Sequence, residues 1–351
     1  MKFKTILFSL SIVLVASLWA APAKIIGFYP YWVQYSQFTP NDVRYNLLTD
    51  INYVGISPTE DGNIAFTDPS DEVNFESLAK LSKENKVNLI IVIGGYDTEE
   101  AFKSIATEDA NLSNFTQNIQ SWIEKYSLAG VELDWQGLDE ENKENFQKIV
   151  ETLLESKKST TLSLTTYPMD GVEVYDPDLL NKVDYITAFI KDQMSEEESV
   201  LKANTGAKDV SKGLQLLTDL GVSSSKIVPI VPLYAKTFMG AKGLGTAHQG
   251  RGSGNEGYIP YKDLMDRVFK DDSYKVTFDE NSKSEVAVGP TESIVFVGIP
   301  TMKAIASQLK DRFAGIAVYD LSQDHTQPLV SLLVTTGLVF YPEKDYKPKK
   351  K

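Results

Sequence analysis

The chain has 351 residues, a formal net charge of −13 and no cysteine. The missing cysteines exclude disulfide bonds, thiolate metal sites and lipid attachment through an N-terminal cysteine. With only two histidines as well, the sequence predicts no metal site. The acidic balance argues against nucleic acid or an anionic membrane as a partner.

Both ends of the chain differ from the rest in composition. Residues 1–23 predict an export signal, with Lys2 and Lys4 before an apolar stretch and a small-residue cleavage site at residues 21–23. Cleavage after Ala23 would leave a secreted or periplasmic protein of charge −15 for which membrane association is not expected; an uncleaved anchor is the alternative. Residues 341–351 form a basic tail, interpreted as a frayed solubilising end rather than a binding arm.

From Lys24 onward the sequence alternates between β-branched or apolar runs and segments with helical spacing. Runs that are apolar on both faces suit parallel strands covered by helices. The alternation predicts one (β/α)8 barrel over residues 24–340, with a doubly wound open sheet as the alternative. The predicted strands are 25–31, 51–56, 87–93, 128–136, 161–166, 183–190, 227–233 and 315–319, and the clearest helices are 75–85, 114–126 and 142–156.

The longest connection lies between the seventh and eighth predicted strands. Residues 240–257 are rich in glycine and predict a mobile loop whose spacing is not that of a phosphate-binding motif. Short runs at 274–278, 285–288 and 294–297 are typical of antiparallel strands. We therefore expect a small α+β insertion over about residues 240–298 on the rim of the barrel.

The run at 128–136 carries polar residues on one face. With a period of two, Gly130, Glu132, Asp134 and Gln136 share that face, and the other face is apolar. Burying unpaired carboxylates is costly, so such a row requires hydrogen bonds, solvent or a functional role. The alternative is an edge strand with one solvated face.

In a (β/α)8 barrel, functional residues lie at the C-terminal ends of the strands. Aromatic rings and polar side chains that converge there suit a sugar, whose C–H faces stack on rings while its hydroxyls bind carboxylates and amides. Ordinary core packing is the alternative for each aromatic residue taken alone. The residues predicted at these ends are Trp32, Tyr96, Asp134, Gln136, Tyr167, Asp192, Tyr234 and Tyr319.

Several of these segments together resemble the family-18 glycoside hydrolases, the chitinases and their chitinase-like lectin relatives. Residues 128–136 resemble the D-G-x-D-x-D-x-E signature, 93–96 the S-x-G-G-W segment and 183–192 the strand ending in M-x-Y-D. Residues 25–32, 231–236 and 314–319 are similar to the first strand, the I-P-F-Y-G-R segment and the last strand. The resemblance covers nearly the whole chain after residue 23 and implies the same barrel.

The departures from the family pattern fall on its catalytic positions. The first acid is Ala129, the second is Glu132, the third is kept as Asp134, and the final Glu is Gln136. In the family, that final Glu is the general acid of a substrate-assisted reaction, while the third acid orients the acetamido group of the substrate. An amide cannot give up a proton in this way, and general acid catalysis is worth about 10²–10⁴-fold in rate. The resemblance thus implies little turnover.

The resemblance also implies a sugar cleft that keeps Trp32, Tyr96, Asp192, Tyr234 and the floor ring Tyr319. Lys191 stands at the Tyr of M-x-Y-D, and Tyr319 stands at the family Trp. No cofactor is implied, because the family chemistry uses only carboxylates and the amide of the substrate.

Three hypotheses follow. The preferred one is an exported chitinase-like protein that binds N-acetylglucosamine-containing glycans, such as chitin, peptidoglycan or N-glycans, with little or no hydrolysis. The second is an active chitinase or endo-N-acetylglucosaminidase that uses a displaced acid, with Asp139, Glu140 or Lys191 as candidates. The third is a protein-binding scaffold with a blocked mouth.

Overall fold

The computed structural model describes residues 22–190 and 199–344. The strands that form the barrel follow the predicted order along the chain. In chain order the strands of this part of the chain are β1 (Lys24–Pro30), β2 (Asp50–Pro58), β3 (Ile64–Phe66), β4 (Asn88–Gly95), β5 (Gly130–Trp135), β6 (Thr161–Thr166), β7 (Tyr185–Phe189), β8 (Ile227–Pro232), β9 (Tyr234–Met239), β10 (Tyr258–Pro260), β11 (Lys275–Asp279), β12 (Ser284–Val288), β13 (Glu292–Phe296) and β14 (Gly315–Tyr319).

The helices connect the strands and cover the barrel. They are α1 (Glu72–Asn85), α2 (Glu99–Thr107), α3 (Asp109–Tyr126), α4 (Lys143–Ser156), α5 (Pro177–Lys182), α6 (Ala207–Leu220), α7 (Tyr261–Lys270), α8 (Ile299–Leu309) and α9 (Leu332–Phe340). Within the described residues, no helix combines the length and apolarity that a membrane crossing requires.

Eight parallel strands close into a barrel. β1 pairs in parallel with both β2 and β14, so the sheet has no open edge at this seam. One apolar cluster fills the inside of the barrel and includes Phe28, Val92 and Ile230. A larger cluster lies between the strands and the helices, where it buries apolar side chains of both layers. The predicted (β/α)8 barrel is confirmed, and the open-sheet alternative is wrong.

Strand β5 lies in the middle of this sheet, hydrogen-bonded to β4 on one side and to β6 on the other. Its apolar face packs on the helices, where the ring of Trp135 stacks on Phe102 of α2 with centroids 5.0 Å apart. Its polar face therefore points into the barrel. The edge-strand alternative for residues 128–136 is wrong, because both neighbouring positions are occupied.

The insertion between β8 and β14 contains a second, antiparallel sheet in the order β10-β9-β13-β12-β11. Helix α7 follows β10 in the chain. The sheet begins at Tyr234, before the expected start of the insertion at residue 240, because β9 follows β8 after a single residue. The short strands β3, β9 and β10 were not predicted, since no run of apolar alternation marks them in the sequence.

Residues 240–257, predicted to be a mobile loop, are held by many hydrogen bonds. Ser253 donates to the Glu292 carboxylate through its backbone N–H and its hydroxyl, both at 2.7 Å. Glu292 also accepts from Arg267 at 3.0 Å and from the hydroxyl of Tyr274 at 2.8 Å. A side chain at Gly252 would place its Cβ 2.5 Å from Glu292 Oε2, so only glycine allows this approach. Gly252 therefore serves close packing, and Gly245 and Gly250, with φ of 78° and 100°, serve the left-handed backbone of the loop.

Candidate functional site

A cleft of about 990 Å³ opens at the C-terminal ends of the barrel strands. Two of the residues predicted for the site, Lys191 and Asp192, lie outside the described part of the chain. The remaining predicted residues all line this cleft: Trp32, Tyr96, Asp134, Gln136, Tyr234 and Tyr319. The described residues thus form an open cleft at the mouth.

Asp134 is the carboxylate at the centre of the cleft. It is only 8 % exposed. Its Oδ1 accepts a hydrogen bond from the hydroxyl of Tyr167 at 2.6 Å, and its Oδ2 faces the Nε2 of Gln136 at 3.5 Å. Burial raises the pKa of Asp134 to about 6, against the opposing effect of the two hydrogen bonds. The carboxylate therefore titrates close to neutral pH.

A glycine in the neighbouring strand β4 allows a close contact with the backbone of Asp134. Gly94 of β4 has φ of 111°. A Cβ at this position would lie 2.2 Å from the carbonyl oxygen of Asp134, so only glycine lets the two strand ends approach this closely. This contact explains why residue 94, two residues before the cleft residue Tyr96, is a glycine.

Glu132 lies one layer deeper in the barrel and is fully buried. Burial raises the pKa of Glu132 to about 7, with the nearby charge of Asp134 acting in the same direction. The carboxylate is fully hydrogen-bonded within the barrel, which accounts for its burial without a counter-charge. Its four donors are Asn52 at 3.0 Å and Ser163, Thr165 and Thr187 at 2.9 Å each.

Aromatic rings form the floor and one wall of the cleft. The ring of Tyr319 lies 5.3 Å from Phe28, 6.0 Å from Phe189 and 6.5 Å from Trp32, measured between centroids. Trp32 is 41 % exposed and Tyr96 is 89 % exposed. Such accessible rings present apolar faces to a ligand, whereas core aromatics do not.

The insertion supplies further aromatic side chains. Tyr234 of β9 and Tyr258 of β10 line the cleft and meet edge to face with centroids 5.3 Å apart. The Lys236 ammonium lies 5.3 Å from the centre of the Tyr258 ring. The second sheet therefore builds part of the cleft wall.

Sequence reasoning missed several cleft residues. Tyr167 was predicted at the mouth with the other strand-end residues but was given no role there, although its hydroxyl holds Asp134. Phe28 and Phe189 occupy inward positions of predicted strands, so strand alternation could have identified them. Tyr258 depends on the unpredicted strand β10, and no local signal identifies it.

Two acidic side chains that were candidates for a displaced acid also line the cleft. Asp139 accepts hydrogen bonds from the backbone N–H groups of Glu141 and Asn142, both at 3.0 Å, immediately before α4. Glu140 pairs with Lys143. Both carboxylates are thus engaged by neighbouring groups of the same loop and of α4.

The chain is similar to known proteins in sequence and in fold. The chain is 21 % identical over 327 residues to the chitinase-like mite allergen Der p 18.0101 of Dermatophagoides pteronyssinus, covering 86 % of this chain and 71 % of the allergen. The crystal structure of a group IV chitinase from Ostrinia furnacalis is similar, with a TM-score of 0.84, 21 % identity and coverage of 91 % and 99 %.

A third similar protein is a chitinase of Cycas revoluta with two substitutions, one of them glutamate to glutamine, crystallised with (GlcNAc)4. It has a TM-score of 0.79 and 19 % identity, and the match covers 91 % of this chain and 98 % of that one. The profile of glycosyl hydrolases family 18 matches residues 24–324. The chain therefore belongs to glycosyl hydrolases family 18.

Proposed function

We propose that this protein is an exported sugar-binding member of the family that recognises N-acetylglucosamine-containing glycans with little or no hydrolysis. The observation that carries the proposal is the amide of Gln136 beside the buried carboxylate of Asp134, in an open cleft lined by aromatic rings. The charge pattern of residues 1–23 supports export.

The chemistry of the amide supports binding and opposes catalysis. Cleavage of a glycosidic bond needs a proton for the leaving oxygen, and a carboxamide has no proton to give at neutral pH. The same amide keeps one acceptor and two donor hydrogens for hydrogen bonds to a sugar. Gln136 therefore suits a residue that positions a glycan and leaves its linkages intact.

The remaining cleft residues have roles that fit this ligand. We assign Asp134, held by Tyr167, to the N–H of an acetamido group, because a carboxylate with its other oxygen engaged is a directed acceptor. Tyr319 and Trp32 would stack on the apolar faces of the sugar rings. Lys191, Asp192, Tyr96 and Tyr234 are further proposed contacts.

Similar proteins support the choice of ligand. The Cycas chitinase variant that carries a glutamate-to-glutamine substitution holds (GlcNAc)4 in its crystal. The fold of that chitinase matches 91 % of this chain and 98 % of its own chain. A chain of N-acetylglucosamine units is accordingly the first ligand to test.

The test compares wild type with Gln136→Glu, in parallel assays of sugar binding and hydrolysis. We expect wild type to bind tri- or tetra-N-acetylchito-oligosaccharide by calorimetry and to show negligible release of product. Because the substitution restores a carboxyl group of equal size, Gln136→Glu should raise the hydrolysis rate by about 10²-fold or more.

Gln136→Asn is the matched control, since it changes the residue without supplying an acid and should leave hydrolysis at the wild-type level. Rapid turnover by wild type would refute the absence of hydrolysis and favour an acid elsewhere in the cleft. Failure of wild type to bind any oligosaccharide of this class would refute the sugar-binding role itself.

A further inference from the structure

Part of the barrel end that carries the cleft is acidic. Four consecutive connections from a strand to the following helix span residues 59–71, 96–98, 136–142 and 167–176. They hold four, one, three and three acidic residues respectively, and none of them holds a lysine or an arginine. These four connections therefore carry negative charge that anionic surfaces repel.

The opposite end has the reverse charge. Six connections from a helix to the following strand span residues 86–87, 127–129, 157–160, 183–184, 221–226 and 310–314. Their only acids are Asp184 and Asp311. We call their basic residues the basic face: Lys86, Lys157, Lys158, Lys226, Lys310 and Arg312.

Part of this positive charge is locally paired. Lys157 pairs with Asp184, and Lys158 lies 3.6 Å from Glu124 of α3. Lys86 and Arg312 are exposed to solvent. The six basic residues still exceed the three acids named at this end, Asp184, Glu124 and Asp311, so that the basic face keeps an excess of positive charge.

The C-terminal end of the described chain leaves from the same end of the barrel. The hydroxyl of Tyr341 donates a hydrogen bond to the carbonyl oxygen of Ala23, immediately before β1 begins. In the sequence, residues 345–351 add one aspartate and four lysines.

We propose that the basic face docks this protein on a membrane leaflet rich in anionic lipids, with the sugar cleft directed away from the membrane. The connections of this face are two to six residues long, so they form a shallow surface that suits a planar array of headgroups. Lysine and arginine near such a surface are attracted to it, and the acidic end is repelled. The docking does not depend on the proposed sugar-binding function.

The net charge of −13 argued against an anionic membrane as a partner. That argument treats the charge as evenly spread over the surface. The fold instead places these basic connections at one end of the barrel and the four acidic connections at the other, which allows an acidic protein to present a basic face to a membrane.

The experiment measures sedimentation of the purified protein with vesicles of phosphatidylcholine alone and with vesicles that also contain phosphatidylglycerol at about one lipid in four. We expect roughly tenfold more bound protein on the anionic vesicles at low salt, and loss of this excess at about 0.5 M salt because the attraction is screened. Binding to the neutral vesicles measures any contribution from the apolar residues of the predicted export signal.

Neutralising substitutions locate the contact. The variant K86N/K310Q/R312Q should lose most of the excess binding; asparagine is chosen at residue 86 because φ is 59° there. The control K242Q/K270Q/K275Q removes three exposed lysines from the insertion and should keep it. Unchanged oligosaccharide binding in both variants verifies their folding, or, if the protein binds no sugar, an unchanged thermal unfolding midpoint does so.

Three outcomes would overturn the proposal. They are equal binding to neutral and anionic vesicles, equal loss of binding in both triple variants, and binding to a soluble polyanion such as heparin without binding to anionic vesicles.

Discussion

Tyr167 controls the carboxylate at the centre of the cleft. Its hydroxyl donates to Asp134 at 2.6 Å, and its ring packs near Phe189 with centroids 5.9 Å apart. Hydrogen bonds to a charged group typically contribute about 1.5–3 kcal/mol. The hydrogen bond from Tyr167 thus supplies much of the stabilisation of the ionised Asp134 carboxylate at neutral pH.

Tyr167→Phe should raise the pKa of Asp134 above its value of about 6, because one of its two donors is lost. If the ionised carboxylate accepts the acetamido N–H, the pH below which sugar binding weakens should move upward by about one unit. Calorimetric titrations of an N-acetylchito-oligosaccharide from pH 5 to pH 8 measure this shift. Tyr31→Phe, which removes another hydroxyl from the cleft lining, is the control, and equal shifts in the two variants would contradict the assignment.

At the scale of elements, the insertion contributes to the cleft through a segment that is fixed by one carboxylate. Glu292 at the start of β13 binds Ser253, Arg267 and Tyr274. The segment that contains Ser253 continues into β10, which carries Tyr258 in the cleft wall. The position of Tyr258 therefore depends on a contact made away from the cleft.

Glu292→Gln should loosen this segment, since the amide has one acceptor oxygen where the carboxylate has two and leaves Arg267 without a charged partner. We expect backbone hydrogen exchange over residues 250–258 to increase by about tenfold, and oligosaccharide affinity to fall, while exchange in β4 and β5 stays unchanged. Glu256→Gln, which removes the ion pair with Arg251, is the matched control. Unchanged exchange in the Glu292 variant would show that other bonds hold the segment.

The extent to which sequence predicted these elements follows from how local their signals are. The eight barrel strands and the inward face of β5 were predictable, because apolar runs and alternation with a period of two are visible in contiguous residues. The donors around Glu132 were not, since Asn52, Thr165 and Thr187 come from three other strands and meet only through the register of the closed barrel. The contact between Glu292 and Ser253 likewise joins distant segments.

At the scale of the whole molecule, the barrel encloses an ionisable group whose charge opposes folding. Burial raises the pKa of Glu132 to about 7 from an ordinary value of 4.5. The folded state thus binds the proton more tightly than the unfolded state, and stability decreases as the pH rises through this interval. Below pH 4.5 the group is protonated in both states and exerts no such effect. Asp134 acts in the same direction at slightly lower pH.

Glu132→Gln should therefore flatten the pH dependence of stability. The difference between the free energies of unfolding of the variant and of wild type should shift in favour of the variant as the pH rises from 4.5 to 8, by roughly 3 kcal/mol at most. A constant loss is also expected at all pH values, because the amide nitrogen replaces one carboxylate oxygen and faces two of the four donors. Urea unfolding at a series of pH values measures both effects. Glu76→Gln on the exposed side of α1 should follow the wild-type curve, and a variant at residue 132 that also follows it would contradict the pKa of the buried carboxylate.

The contact between Tyr341 and Ala23 closes the folded chain into a near-complete ring. A linker of a few residues would be enough to join these two positions covalently, and new ends could then be opened in an exposed turn of the insertion, such as the one between β11 and β12. A circularly permuted protein of this kind would keep every strand pairing of the barrel. The new ends would lie at the opposite edge of the second sheet from the cleft strand β10, so that a fused domain would leave the cleft lining unchanged.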